Sequence, residues 1–226
     1  MTIVTIRGTL GSGAPEIGNQ IAERLHFDYV DREIIADVAK RINWSEESAA
    51  AKEMPPGTVL GRIAEALGHN YPIGDGIGGA YLPTWEIPLD DARYLVGLES
   101  IIKELAKKEA IIIRGRGSQF ILKDFPRALH VLVVAPLLLR VKRIMESSKV
   151  EESEAKKIIQ RFDSSRLVFT KRYFHAALED PINYDLVINT EHITFENASS
   201  IVIKAVSPEI KTKQATKSGK TPSNFK

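Results

Sequence analysis

The segment from Ile3 to Leu25, IVTIRGTLGSGAPEIGNQIAERL, joins an apolar β-strand pattern to an amphipathic helix pattern through a glycine-rich loop. Gly8 and Gly13 have the spacing of the first and last glycines of the phosphate-binding motif G-x-x-x-x-G-K-[ST]. Backbone N–H groups of such a loop can surround phosphate oxygens, and the helix directs its positive end to the same place. Two interpretations follow: a phosphate cradle, or a glycine turn that merely connects strand and helix.

The loop lacks two side chains of that motif. Ala14 and Pro15 stand where the motif has its lysine and its serine or threonine. The lysine reaches the transferring phosphoryl group and the hydroxyl holds magnesium. A unit charge about 4 Å from another is worth up to roughly 4 kcal/mol at an effective dielectric near 20. A chain that transfers phosphate without this lysine therefore needs a replacement cation.

Strand and helix patterns alternate along most of the chain. Strands are predicted at Ile3 to Ile6, Phe27 to Val30, Ala110 to Arg114, His130 to Val134 and Leu186 to Asn189. Helices are predicted at Glu16 to Leu25, Leu95 to Lys107, Leu138 to Glu146, Glu151 to about Ala177, and Phe195 to Val206. The strands at 110 and 130 are apolar and β-branched throughout, as in parallel sheets covered on both faces. The alternation predicts an open parallel α/β sheet with ligands at the carboxyl ends of its strands.

The amino-acid composition limits the classes of protein to which the chain can belong. The chain has 226 residues, of which 43% are hydrophobic, so one domain is expected. A net charge of +2 gives no argument for nucleic acid or membrane binding. The absence of cysteine excludes disulfides and thiol nucleophiles and is compatible with a reducing cytoplasm. We expect a cytoplasmic protein that binds small molecules and neither nucleic acid nor membranes. The five histidines fall in no metal-ligand motif.

Two segments depart from the alternation. From about residue 43 to 94 the chain shows a short helix near residues 58–67 and then a stretch dense in Gly and Pro, which indicates a mobile lid or an ordinary irregular insertion. Residues 207–226 are polar, bear several lysines and lack periodicity, so we expect a disordered tail. Residues 1–206 are the expected domain.

Arginines occur where phosphates would bind. Arg114 and Arg116 follow the apolar strand at 110, and Arg140 and Arg143 lie one turn apart on the next helix. Arginine suits planar, bidentate phosphate binding. Each could also be an ordinary surface charge, and Asp163 with Arg166, at i and i+3 on the long helix, could be a helix ion pair.

In this order, these motifs resemble the cytidylate kinases of the P-loop nucleoside monophosphate kinases, and more closely their divergent cytidylate kinase-like branch. Three blocks carry the resemblance: TIRGTLGSGAPEIGNQIAERLHFDYVDREII, IIIRGRGSQFILKDFPRALHVLVVAPLLLRVKRI, and AKKIIQRFDSSRLVFTKRYF with YDLVINTEHIT. The resemblance implies a three-layer α/β/α P-loop fold with a five-stranded parallel sheet and a helical lid at about 137–175. It also implies phosphoryl transfer from ATP with Mg²⁺ to a nucleoside monophosphate such as CMP or dCMP.

The resemblance assigns roles to individual residues. Arg116 and Arg166 would anchor the acceptor phosphate, Asp163 would lie on the nucleoside side, and Arg140 and Arg143 would stabilise the transferring group. The nucleotide-binding residues would be Gly8, Gly11, Ser12, Gly13, Ala14, Asp31, Arg32, Arg114, Asp163, Asn189 and Thr190.

This chain departs from the family pattern at several positions. The aspartate that follows the family's Gly-Arg is Gly117, and the arginine expected four residues before Asp163 is Ile159. We expect Arg32 or Arg114 to compensate in part for the missing lysine. The magnesium ligand is unassigned, with Glu16 and Asp31 as candidates.

Two other classes remain as alternatives. A nucleotide-binding or regulatory relative could keep the cradle and have lost catalysis, because Ala14, Pro15 and Gly117 each remove a catalytic feature. A dinucleotide-binding oxidoreductase is disfavoured, since Gly8, Gly11 and Gly13 do not have G-x-G-x-x-G spacing, although Asp31 comes at a suitable distance.

Overall fold

The computed structural model describes residues 3–31 and 92–206. The strands are β1 (Ile3–Gly8), β2 (Asp28–Val30), β3 (Ile111–Arg114), β4 (Ala128–Val134) and β5 (Leu186–Asn189). The helices are α1 (Ala14–Leu25), α2 (Ala92–Lys107), α3 (Ser118–Ile121), α4 (Leu137–Ser148), α5 (Glu152–Phe174) and α6 (Phe195–Val206), with a 3-10 turn at Pro181–Asn183.

The five strands form one parallel sheet in the order β2-β3-β1-β4-β5. The central strand β1 pairs with β3 on one side and with β4 on the other. The predicted five-stranded parallel α/β sheet is therefore confirmed. Because the strands are parallel, the glycine loop after β1 and the arginine-bearing turn after β3 lie at the same edge.

Helices cover both faces of the sheet. Val4 and Ile6 of β1 belong to a buried cluster with Ile17 of α1 and Val202 of α6. Ile3, on the opposite face, belongs to a second cluster with buried residues of α2. This is the three-layer α/β/α arrangement, and each layer buries its apolar face against the sheet.

Helices α4 and α5 pack together outside these two clusters. Val141 and Ile144 of α4 contact Ala155 and Ile159 of α5, and Leu10 of the glycine loop packs against this group. Ile159, where the family pattern has an arginine, is thus a core residue of the helix pair. The pair is attached to the sheet next to the loop.

The structure differs from the sequence predictions mainly at element ends. Helix α3 was not predicted because one turn is too short to show a 3.6-residue period. Helix α5 ends at Phe174, three residues early, where His175 adopts a left-handed conformation. The predicted helix at 58–67, most of the insertion at 43–94 and the tail at 207–226 lie outside the described residues. Within the described ranges, no helix combines the length and apolar character needed to cross a membrane.

Candidate phosphate-binding site

The loop between β1 and α1 has a backbone shape that requires glycine. Gly11 and Gly13 have φ angles of 81° and 93°. Residues with a Cβ atom rarely adopt such values. A Cβ on Gly13 would lie 2.1 Å from the Phe195 ring, and one on Gly11 would lie 2.9 Å from the Arg140 carbonyl oxygen. The loop therefore needs glycine at both positions.

Helix α1 begins directly after this loop, and its N-terminus carries no side-chain cap. Gly13 is the N-cap residue, Pro15 lies in the first turn, and no side chain accepts a hydrogen bond there. The first-turn N–H groups and the helix dipole are the features that bind anions. Ala14, at the motif's lysine position, is buried in the core and adds no charge.

The guanidinium of Arg143 on α4 donates a hydrogen bond to a carbonyl group of the glycine loop. Its Nη1 donates to the Gly11 carbonyl at 3.1 Å and to Thr190 Oγ1 at 2.9 Å, and its Nη2 donates to the Thr190 carbonyl at 3.0 Å. The Thr190 hydroxyl donates to the Ser12 carbonyl at 2.7 Å. The loop is thus tied to α4 and to the residue after β5.

Arg140 and Asp163 form a second tie to the loop. Arg140 Nη1 donates to Asp163 Oδ2 at 2.6 Å and to the Leu10 carbonyl at 3.3 Å. Asp163 Oδ1 accepts the Leu10 N–H at 3.3 Å. The two side chains are only 12% and 18% exposed, so this ion pair joins α4, α5 and the loop.

Arg166 takes no part in that ion pair. Its guanidinium stacks on the Phe162 ring at 3.2 Å and donates to the Phe162 carbonyl and to Ser165 Oγ. All of these contacts lie within α5. The structure therefore pairs Asp163 with Arg140 of a neighbouring helix and not with Arg166, the partner in the alternative of a helix ion pair.

The turn after β3 presents Arg116 in an uncommon backbone conformation. Gly115, Arg116 and Gly117 have φ angles of 77°, 57° and 71°. The Gly115 N–H donates to the Ile6 carbonyl at 3.2 Å, so the turn is fixed to the central strand. A left-handed arginine costs of order 1–3 kcal/mol. Six other described non-glycine residues also have positive φ, three of them at helix C-termini.

Arg114 is engaged in an ion pair at the edge of β3. Its Nε donates to Asp31 Oδ2 at 3.2 Å, and its Nη2 donates to the same oxygen. Asp31 follows β2 directly. Arg32, the other expected substitute for the lysine, lies outside the described residues.

The remaining candidates lie at the ends of β5 and α1. Asn189 Oδ1 accepts the Glu191 N–H at 3.0 Å, so this side chain shapes the turn after β5. Glu16 is exposed in the first turn of α1. Among the described residues no three His, Cys, Asp or Glu side chains come together as a metal site.

Sequence reasoning passed over Arg7, the residue before Gly8. Its side chain is buried, and Nη1 donates to the Gly8 carbonyl. Its Nε and Nη2 have no hydrogen-bond partner among the described residues. Burial lowers the pKa of Arg7, against the opposing influence of Tyr184, Glu179 and Asp163. The signal in the sequence was a charged residue near the end of an otherwise apolar strand.

The fold and this site together define a class of protein. A central parallel strand, a glycine loop and a helix with an uncapped N-terminus, set in a three-layer α/β/α sheet, are the arrangement of P-loop kinases. The sequence model of the cytidylate kinase-like family matches residues 3–192. The chain belongs to the cytidylate kinase-like family.

Relatives and solved structures agree with this assignment. A cytidylate kinase from Methanosarcina barkeri is 24% identical over 192 residues, covering 83% of this chain and 87% of that protein. A cytidylate kinase from Methanosarcina acetivorans is 26% identical over 183 residues, covering 80% of this chain and 85% of that protein. An uncharacterized protein from Eubacterium ventriosum matches with a TM-score of 0.65 and 18% identity, covering 91% of this chain and 98% of that one. The last comparison concerns the fold alone. Family and fold support a nucleotide kinase-like function.

Proposed function

We propose that this protein transfers a phosphoryl group from ATP to a nucleoside monophosphate, with CMP, dCMP or a related nucleotide as acceptor. The observation that carries the proposal is the glycine loop, whose carbonyl oxygens at Gly11 and Ser12 are tied to Arg143 and Thr190 beside the uncapped N-terminus of α1. A loop fixed by its carbonyl groups can offer its N–H groups to phosphate oxygens. The names of the two relatives favour a cytidine nucleotide as acceptor.

In this proposal, the phosphates of the donor nucleotide are bound mainly by backbone N–H groups. The N–H groups of Gly11 and Gly13 would bind the donor phosphates. The Ser12 N–H donates to the Thr9 carbonyl at 3.0 Å and would have to exchange that bond to join them. Arg140 and Arg143 already contact the loop, and either guanidinium would exchange one of its present hydrogen bonds to reach the transferring group. Phosphoryl transfer depends mainly on positioning and charge neutralisation, which these groups provide.

On the acceptor side, Arg116 and Arg166 are the proposed phosphate anchors. Arg116 is held at the carboxyl edge of β3 by the left-handed turn. Arg166 would have to leave the Phe162 ring to reach the same place. The proposal therefore includes a rotation of Arg166 when the acceptor binds.

The described residues provide little of a dedicated magnesium site. Ala14 and Pro15 carry no hydroxyl group, and Asp31 is paired with Arg114. Mg²⁺ commonly keeps several waters and binds substrate phosphates with only one or two carboxylates. We therefore propose that it arrives with the nucleotide, with Glu16 or Asp31 as an outer partner. The bound ion would neutralise phosphate charge during transfer.

A second candidate function is nucleotide binding without catalysis. It is favoured by the buried Ala14 in place of the lysine. The contact of Asp163 with the Leu10 N–H also favours it, because the carboxylate takes up one of the loop donors. Both functions require nucleotide affinity, and turnover separates them.

The test is a phosphotransfer assay with a binding control. Purified protein is incubated with Mg·ATP and a panel of CMP, dCMP, UMP, AMP and GMP, and ADP formation is followed while calorimetry measures binding of each nucleotide. We expect turnover with a cytidine nucleotide, reduced by roughly tenfold or more in Arg116→Met, because a charge-assisted contact is worth about 1.5–3 kcal/mol.

Arg24→Met is the matched control. Arg24 lies in the last turn of α1 and donates to Ser199 and Ser200 of α6. It is roughly 15 Å along the helix from the loop, and turnover should be unchanged. Binding without turnover would support the non-catalytic function, and absence of both would refute the two proposals together.

A further inference from the structure

Arg7 occupies a distinct position on the central strand. Residues 3, 5 and 7 of β1 share one face of the sheet. Ile3 packs with α2, and Thr5 hydrogen-bonds His130 Nδ1 at 2.8 Å on the neighbouring strand. Arg7 is the last residue of this row, and Gly8, where the glycine loop begins, follows it. A buried cation therefore lies at the base of the cradle.

The positive charge of the Arg7 guanidinium is poorly neutralised by the described residues. Arg7 is 6% exposed, and the acceptor it contacts is the Gly8 carbonyl. Two carboxylates act on the guanidinium electrostatically, Glu179 more strongly than Asp163, but neither forms an ion pair with it in the described part of the chain. Glu179 is exposed to solvent, and Asp163 is already bound to Arg140 and to the Leu10 N–H. A buried charge without an ion partner is costly, so retention of the cation calls for an anion at this place.

Tyr184 is a polar neighbour of Arg7 that does not supply this anion. Burial raises the pKa of the Tyr184 hydroxyl to about 12, and Arg7 opposes that shift by its charge and by a side-chain contact with the hydroxyl. That contact lacks regular hydrogen-bond geometry at Arg7 Nε and Nη2. At neutral pH the phenol therefore keeps its proton. It can accept a hydrogen bond, but it adds no negative charge beside the guanidinium.

Helix α3, which lies beside the strand that carries Arg7, also has buried polar atoms without hydrogen-bond partners among the described residues. Ser118 and Gln119 begin α3, which packs against β1. Both are buried, and Ser118 Oγ and Gln119 Oε1 have no hydrogen-bond partner among the described residues. Gln119 Nε2 donates to the Tyr184 hydroxyl at 3.2 Å, and that hydroxyl donates to the Leu178 carbonyl. Two guanidinium nitrogens of Arg7 without a regular partner, Nε and Nη2, and the unpaired Ser118 hydroxyl thus belong to elements that meet at the carboxyl edge.

We propose that Arg7 binds a nucleotide phosphate group between the glycine loop and the β3–α3 turn, and that it supplies the positive charge that Ala14 lacks. A guanidinium whose Nε and Nη2 make no regular hydrogen bond suits a phosphate group, because one N–H from each nitrogen can donate to a separate phosphate oxygen. The inference rests on the proposed function, since it concerns the same site. The phosphate could belong to the donor or to the acceptor nucleotide, which share this chemistry.

Binding measurements on the full chain test the inference without relying on turnover. Calorimetry compares the wild type with Arg7→Met and Arg7→Lys, using ADP, a non-hydrolysable ATP analogue and CMP as probes. We expect Arg7→Met to weaken binding of the affected nucleotide roughly tenfold to a hundredfold, and Arg7→Lys to restore part of the loss. Arg24→Met is the control and should bind all three probes like the wild type.

The melting temperature of each protein without ligand separates a binding role from a structural one. Methionine fills a similar volume and removes an uncompensated buried charge, so Arg7→Met should melt at the wild-type temperature or above it. A structural arginine would instead give a lower melting temperature with unchanged affinities, and that result overturns the inference. If Arg7→Met does not fold, Arg7→Gln keeps hydrogen-bond donors without the charge and provides the same comparison.

The probes identify the phosphate and keep the two hypotheses apart. A loss confined to ADP and the ATP analogue assigns Arg7 to the donor, and a loss confined to CMP assigns it to the acceptor. Equal affinities in the wild type and Arg7→Met overturn the inference while the proposed function stands. A wild-type protein that binds none of the probes refutes the proposed function, and the inference with it.

Discussion

At the scale of single residues, Gly117 shows how tightly the turn after β3 is built. Its φ angle is 71°, and a Cβ there would lie 2.2 Å from Phe174 Cε2. We expect Gly117→Ala to lower the free energy of unfolding by about 2–5 kcal/mol, because it combines a left-handed alanine with overpacking against the ring. Urea denaturation followed by circular dichroism measures the change.

The Phe174→Leu background separates these two causes. With the ring removed, the same Gly117→Ala change should cost only the left-handed strain, about 1–2 kcal/mol. An equal cost in both backgrounds would contradict the role assigned to the ring, and a loss below about 1 kcal/mol in the wild type would contradict both causes.

Sequence spacing located most of the candidate residues but not their partners. The positions of Gly8, Gly11 and Gly13 predicted a loop of the observed kind, and the arginines of α4 lie against it. Arg166 is the one possible partner of Asp163 that i, i+3 spacing makes visible in the sequence, whereas the contact with Arg140 depends on how α4 packs against α5. Arg7 was missed because a pattern of strand and loop does not show which side chains are buried.

At the scale of elements, α4 is fastened to α5 by the ion pair of Arg140 and Asp163. Because both side chains are largely buried, removing one leaves the other without its partner. A double-mutant cycle with Arg140→Gln and Asp163→Asn should show a coupling of about 1–3 kcal/mol in the free energy of unfolding. Urea denaturation of the four proteins gives this value.

An exposed pair on α2 provides the comparison. Lys103 and Glu99 lie at i, i+4 with side chains 53% and 39% exposed. The corresponding cycle should give a coupling of at most about 0.5 kcal/mol. Equal couplings for the two pairs would mean that the ion pair of α4 and α5 acts as an ordinary surface contact.

Periodicity predicted the larger elements and failed for the smallest ones. The strands agree with prediction to within two residues at each end, and α6 agrees at both ends. Alternation and 3.6-residue periods are strong signals over such lengths. The single turn α3 and the 3-10 turn at Pro181–Asn183 are too short for any period. The 3-10 turn is set locally, since Asp180 Oδ1 accepts the Ile182 N–H at 3.1 Å and proline occupies its first position.

At the scale of the whole molecule, His130 makes stability depend on pH. Burial lowers its pKa below the ordinary value of 6.5, against the opposing influences of Asp185 and the Leu122 carbonyl. Between the lowered value and pH 6.5 the unfolded chain binds a proton that the folded protein does not. The free energy of unfolding should therefore fall as the pH decreases from 6.5 through this window. Urea denaturation at a series of pH values measures the slope.

His130→Gln is the variant that isolates this effect. It removes the titrating imidazole that hydrogen-bonds with the Thr5 hydroxyl. A change in overall stability caused by the substitution shifts the curve equally at every pH. The difference in unfolding free energy between wild type and variant should change below pH 6.5 and stay constant above it. A difference that is constant across the whole range would assign the pH dependence to other groups.

The sheet class could be predicted for the whole domain, but the chemistry at its edge could be predicted only in outline. Alternating strands and helices imply parallel pairing, since each crossover helix returns the chain to the same end. The substitution of Ala14 for lysine shows that a charge is missing, yet its replacement depends on side chains that converge from distant segments. The identity of the proposed acceptor depends on such convergence as well.

The hydrogen bond from the Thr190 hydroxyl to the Ser12 carbonyl has a consequence for folding during translation. It joins positions 178 residues apart, and the bond from Arg143 to the Gly11 carbonyl spans 132 residues. Contacts of such separation form late, because long loops must close before they give any gain. In a nascent chain, the glycine loop leaves the ribosome long before β5 and Thr190 are synthesised. Until then the loop lacks the contacts that give it its folded conformation.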